Sequence, residues 1–174
     1  MDPTQRYFDL IQRIDANAKR LTTLHGGAIT CRPGCTTCCV NLTVFPVELH
    51  AIQLAITRAG VTLDTGAFDP SATCGFLHND LCRIYPFRPI ICRTHGLPIL
   101  FLDDRSEPTW EVSFCELNFK ENERLEFTDD SLLNIEDINT ELARINLDFS
   151  TMGHKGGGKH PTRIPLSALC AIKT

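Results

Sequence analysis

No stretch of this 174-residue chain approaches the ~20 consecutive apolar residues of a membrane-spanning helix. Its opening, Met1-Asp2-Pro3-Thr4-Gln5-Arg6-Tyr7, lacks the basic start and apolar centre of a secretory signal. These two absences predict a cytoplasmic protein with no membrane attachment. Internal repeats and a second-domain linker are missing as well. The length suits a single domain, residues 1–174, with a core large enough not to need crosslinks. A composition of 43% hydrophobic and 22% charged residues excludes a disordered chain. No serine, histidine and acid are arranged to recommend a hydrolase.

Charge is unevenly spread. Residues 1–102 carry 9 basic and 7 acidic groups, residues 103–148 carry 4 and 14, and residues 149–174 carry 4 and none. The acidic stretch disfavours nucleic acid as a partner, and the basic tail is expected to fold back onto it. Within that tail Gly153-His154-Lys155-Gly156-Gly157-Gly158-Lys159-His160 invites a phosphate-loop reading. No clear strand precedes it, and His160-Pro161 replace the hydroxyl residue and the helix, so we read it as a mobile or docking loop.

Periodicity and punctuation predict three helices. Residues 4–25 place Tyr7, Leu10, Ile11, Ile14, Ala18, Leu21 and Leu24 at helical spacing, with Asp2 as N-cap, Pro3 at the first position and Gly26-Gly27 after the end. Residues 46–59 begin with Pro46 and stop at Gly60, and residues 134–149 align Ile135, Ile138, Leu142, Ile145 and Phe149. Val40 to Phe45 reads as a short extended piece. Cys74 to Tyr85 reads as a small hairpin turning at His78-Asn79-Asp80, which would hold Cys74 and Cys82 near each other. Leu97 to Leu102 and Thr109 to Cys115 are two further extended runs, and Pro165 to Cys170 a final turn. Pro86 or Pro89 is expected to open a short helix carrying Cys92, with His95 on the same face if that helix persists.

Against this ordinary background one residue type is crowded. Eight of the nine cysteines lie between Cys31 and Cys115, four of them in the run Cys31-Arg32-Pro33-Gly34-Cys35-Thr36-Thr37-Cys38-Cys39. Close-set thiolates repel one another unless a cation sits among them, and structural disulfides are rare in a reducing compartment. An odd count also argues against a complete disulfide framework. The spacing of two or three residues, with Pro33-Gly34 as a turn, points successive thiolates at one metal. Adjacent Cys38 and Cys39 point in different directions in most backbone conformations, which suits two metals, or one metal and one packing or reactive thiol. Two four-cysteine sites, or one cluster with spare thiols, are both compatible with the pattern, as are zinc and iron.

Arg32, Arg83 and Arg93 each follow a cysteine and Arg88 lies between Cys82 and Cys92, a placement suited to offsetting thiolate charge. His95 is read as a turn histidine with solvent access in preference to a ligand. Cys31, Cys35 and Cys38 have the spacing by which radical S-adenosylmethionine enzymes hold a four-iron cluster. The chain lacks the alternating strand-helix pattern of their barrel, however, and Thr37 stands where they carry an aromatic residue.

The run Cys31 to Cys39, followed by Cys74-x-Phe76-Leu77, Cys82-x-Ile84-Tyr85, Arg88-Pro89 and Cys92-Arg93, resembles a bacterial cysteine-rich family, the YkgJ-type zinc- or iron-chelating domain. The resemblance covers about residues 31–115. It implies that Cys31, Cys35, Cys38, Cys39, Cys74, Cys82, Cys92 and Cys115 form a metal site, often labelled iron-sulfur. Flagellin lysine methylases carry a similar module, which brings S-adenosylmethionine chemistry into view. The terminal helices lie outside the motif, and no function transfers to them.

The expected architecture is a helix-rich α+β domain with short hairpins and an irregular cysteine-lined centre, about residues 31–115, flanked by helices 4–25 and 134–149. The expected function is binding of zinc or an iron-sulfur cluster, with a protein partner or a small molecule as the second component. The rival expectation is an iron-sulfur oxidoreductase or an S-adenosylmethionine-dependent methyl-transfer component.

Overall fold

The computed structural model describes residues 1–63, 73–120, 126–152 and 163–171. Helix α1, Pro3–His25, begins where the Asp2 carboxylate accepts the Gln5 N–H, with proline in its first turn. Gly26 follows it at a φ of 53°, a conformation that glycine adopts without Cβ strain. Helix α2, Pro46–Arg58, also opens on proline, and the Glu48 side chain reaches back to accept the Phe45 N–H. Helix α3, Ile90–Thr94, is a short piece after Pro89. Helix α4, Ile135–Thr151, is capped by Asn134, whose side chain accepts from the N–H groups of Glu136 and Asp137.

Helices α1, α2 and α4 pack through one apolar cluster that includes Tyr7, Leu10, Ile14, Val47, Ala51, Leu142, Ile145 and Phe149. Burial of each large aliphatic side chain there contributes about 1.5–3 kcal/mol. The opposite face of α2 sends Ile52 and Ile56 into a second cluster with Val44, Phe76, Ile84, Leu166 and Leu169. A third, smaller cluster joins Leu21 to Leu97 and Leu133.

Among the described residues, three small sheets complete the α+β fold. Strand β1, Thr43–Val44, pairs antiparallel with β7, Ile164–Pro165. Strands β2, Leu77–His78, and β3, Leu81–Cys82, form the hairpin; its turn residues Asn79 and Asp80 both have positive φ, as a tight two-residue hairpin requires. Strand β4, Ile99–Asp103, lies between antiparallel β5, Thr109–Ser113, and parallel β6, Leu133–Asn134.

Two acidic residues of α4 meet α1. Arg6 pairs with Asp148 and Arg13 with Glu141. Arg163 from the basic tail instead donates to the Thr43 carbonyl at 2.7 Å and lies over the Phe45 ring, so this residue does not fold onto the acidic stretch. The other three basic tail residues, Lys155, Lys159 and Lys173, and the Gly153–His160 loop lie outside the described residues. Among the described residues no helix is long and apolar enough to cross a membrane.

Candidate metal centre

The segment from Cys31 to Cys39 is built from two consecutive turns, closed by Cys35 N–H to the Arg32 carbonyl and by Cys39 N–H to the Thr36 carbonyl. In the first, Pro33 sets the entry and Gly34 takes a φ of 93°, the sequence signature of a type II turn. The turns replace regular structure and allow four thiols within nine residues.

Cys31 is held against two loops that are distant in sequence. Asn118, only 2% exposed, donates through Nδ2 to the Gly96 carbonyl at 2.6 Å, and that nitrogen lies 3.6 Å from Cys31 Sγ. The Asn118 Oδ1 accepts the Thr30 N–H at 2.9 Å. A Cβ placed on Gly96 would fall 2.6 Å from Cys31 Sγ and 3.6 Å from Cys115 Cβ, so the missing side chain is what lets the two cysteines approach. Cys115 joins the same corner through its N–H to the Gly96 carbonyl. Neither Gly96 nor Asn118 was marked by the sequence reading. Gly96 does carry one sequence signal, a glycine just past the end of a short helix.

Cys74 and Cys82 lie at the base of the hairpin. Leu77 N–H donates to the Cys74 carbonyl, and Cys82 stands opposite Leu77 across the strand pair. Both pack against the second apolar cluster. The Gly75 N–H donates to Asn41 Oδ1 at 3.0 Å, which ties the chain just after Cys74 to the chain just after Cys39. Cys92 sits on α3, whose first N–H, that of Ile90, is accepted by Glu48 Oε1 from α2.

The arginines divide their work. Arg88 donates to the Cys92 carbonyl, and its charge offsets part of the rise that burial gives the pKa of Cys82 and Cys92. Arg93 turns away from the thiols to pair with Asp15 on α1 and to donate to the carbonyls of Arg88 and Pro86. Arg83 acts on Cys170. Helix α3 stops at Thr94, so His95 leaves it in an extended conformation and is exposed, as a turn histidine should be.

Electrostatics show which thiols are neighbours. Burial raises the Cys31 pKa, Asn118 partly offsets this, and the charges of Cys115, Cys35 and Cys38 add to it. Burial raises Cys38 too, with contributions from Cys35 and Cys115. Burial pushes Cys39 up to about 11, with Cys38, Cys74 and Cys82 as its charged neighbours. Burial pushes Cys92 up to about 12 despite Arg88, and Cys82, Cys74 and Cys39 raise it further. Cys170 is raised by burial and has no other thiol among its charged neighbours.

All nine cysteines are free. Among the described residues no group of three or more cysteine, histidine or carboxylate side chains is already arranged to hold a metal ion, so the thiols approach as neighbours and not as a closed coordination shell. The donor chemistry itself fits zinc or iron, both of which accept soft thiolates, and the mutual repulsion of these thiolates is what a cation among them would offset. A cavity of about 480 Å³ borders the first corner, lined among others by Thr94, His95, Gly96, Cys115 and Arg163.

Neither the curated proteins nor the solved structures gave a match to this chain. A family model described as CxxCxxCC, putative zinc- or iron-chelating domain, matches residues 30–116, half of the chain and the whole interval from Cys31 to Cys115. With its thiols gathered from four separate segments inside that interval, the chain belongs to the CxxCxxCC family of putative zinc- or iron-chelating domains.

Proposed function

We propose that this protein holds zinc or an iron-sulfur cluster through Cys31, Cys35, Cys38, Cys39, Cys74, Cys82, Cys92 and Cys115, in one domain whose terminal helices brace the thiol-bearing loops. The observation that carries this reading is electrostatic and spatial together. Seven of these eight thiols are each a charged neighbour of a thiol from a different segment and Cys35 is one of Cys31 and Cys38 in its own loop, whereas the one charged neighbour of Cys170 is Arg83. The raised thiols are protonated at neutral pH, so binding must release protons, and Arg88 eases that release at Cys82 and Cys92. A bound metal would supply cross-linking of the loops, and in the iron-sulfur form electron exchange.

The role we favour is a metal-stabilised module that binds a protein partner in the cytoplasm. A second reading, an oxidoreductase or methyl-transfer component acting on a small molecule, is favoured by the cavity beside Cys115. Anaerobic purification with metal analysis and a visible spectrum tests the proposal and separates the roles. We expect stoichiometric zinc without colour, or iron with charge-transfer absorption. Well-folded protein with less than about a tenth of an equivalent of any transition metal would sink the reading. Cys35→Ser should lower the metal content and Cys170→Ser should leave it intact.

A further inference from the structure

We propose that the eight thiols form two separate four-cysteine centres, Cys31, Cys35, Cys38 and Cys115 in one and Cys39, Cys74, Cys82 and Cys92 in the other, with the peptide bond between Cys38 and Cys39 as the dividing line. This rests on the reading that these thiols hold metal, and adds how they are shared.

Three contacts carry the division. The first group is assembled at one corner, where Asn118 fastens the Cys31 loop to Gly96 and the absent Gly96 side chain leaves Cys31 and Cys115 together. The second group is assembled on the other side of the loop, where the Gly75 N–H on Asn41 brings the chain just after Cys39 to the hairpin holding Cys74 and Cys82. Arg88 reaches both Cys82 and Cys92 from the turn before α3, which adds the fourth thiol to that side.

The charged neighbours divide the same way. Cys31 feels Cys115, Cys35 and Cys38, and Cys38 feels Cys35 and Cys115. Cys92 feels Cys82, Cys74 and Cys39, and Cys39 feels Cys74 and Cys82 besides the Cys38 attached to it. Outside that bonded pair, the main charged thiol neighbours of Cys31, Cys38, Cys39, Cys82 and Cys92 all belong to their own group. Cys38 and Cys39 hydrogen-bond to each other through their side chains, so the two groups adjoin at that pair while their other thiol neighbours differ. Four thiolates per metal also match the closed tetrahedral shell of zinc and the ligand count of a four-iron cluster.

The test uses the full chain, reduced and freed of metal, with zinc as the probe, because thiolate sites accept zinc in place of iron. Wild-type protein should take up about two equivalents, at four thiolates each. Cys115→Ser and Cys82→Ser should each keep about one equivalent, and the double variant almost none. Alkylation followed by fragment mass spectrometry should find Cys39, Cys74, Cys82 and Cys92 protected in zinc-loaded Cys115→Ser, while Cys31, Cys35 and Cys38 react. The pattern should reverse in Cys82→Ser. If a variant fails to fold, wild-type protein alkylated at rising zinc decides the question, because two centres protect the thiols in these two sets. One equivalent protecting all eight thiols together, or protection that crosses the sets, overturns the division but leaves metal binding standing. Wild-type protein that takes up no zinc and protects no thiol overturns the underlying reading itself.

Discussion

Gly96 and Cys31 are in contact across 65 residues of sequence, the sulfur of one occupying the space where a side chain on the other would begin. Gly96 has a φ of 88° as well, so two independent constraints meet at one position. Gly96→Ala should therefore cost more than Gly60→Ala, which shares a positive φ but has open space around it. The expected cost at Gly60 is the left-handed backbone term, about 1–2 kcal/mol. Thermal unfolding of both variants measures the difference, and faster alkylation of Cys31 in Gly96→Ala would locate it. Equal destabilisation would show that the sulfur contact yields freely.

Asn118 ties Gly96, Thr30 and Cys31 into one corner, and its burial makes the unpaired partners expensive. Asn118→Ala should destabilise the protein by about 1–3 kcal/mol, the range for leaving buried polar groups unsatisfied. It should also raise the reactivity of Cys31 while that of Cys82 stays unchanged. Urea unfolding with site-resolved alkylation checks both statements, and equal change at the two cysteines would refute the local role.

Arg93 and Asp15 form an ion pair whose two ends differ in exposure, with side-chain accessibilities of 10% and 49%. Asp15→Asn removes a partly exposed pairing and should cost no more than about 1 kcal/mol. Arg93→Ala also strips charged hydrogen bonds from the carbonyls of Arg88 and Pro86 and should cost about 1.5–3 kcal/mol. Denaturation midpoints of the two single variants give the comparison, and similar losses would place the weight on the ion pair.

Glu48 predicts a pH dependence. Burial raises its pKa, and the N–H groups of Phe45 and Ile90 offset only part of the rise. The native state therefore binds this proton more tightly than the unfolded chain does. The associated stability is present below the unfolded value of about 4.3 and is lost as pH rises from there through the native value. Glu48→Gln should flatten the decline of stability with pH over that interval. Urea midpoints from acid to neutral pH test this, and identical slopes for the two proteins would remove Glu48 as the cause.

Helices α1, α2 and α4 were legible because their signals are local: an apolar stripe, a proline at the start, and a cap or a following glycine. The hairpin was legible from its turn residues, and the strands 99–103 and 109–113 from their extended runs. Pairing of Thr43–Val44 with Ile164–Pro165 was not, since a two-residue strand has no period and its partner is distant in sequence. The same holds for β6 beside β4. At the candidate site the cysteines announced themselves by number and spacing, whereas Asn118 is one polar residue in a loop whose meaning arises only when Cys31 and Gly96 arrive beside it. Burial of the Glu48 carboxylate at the start of a helix was hidden for a similar reason, since acidic residues there usually face solvent.

Helix α2 serves as a party wall. Val47 and Ala51 belong to the three-helix side, and Ile52 and Ile56 to the side that supports the hairpin and the β1/β7 pair. Strands of two residues hold few amides against exchange, while α1 and α4 keep their own ladders and a shared apolar seam. Loosening on the hairpin side thus stops at α2, and amide exchange should set slow amides along α1 and α4 against fast ones along β1, β2, β3 and β7.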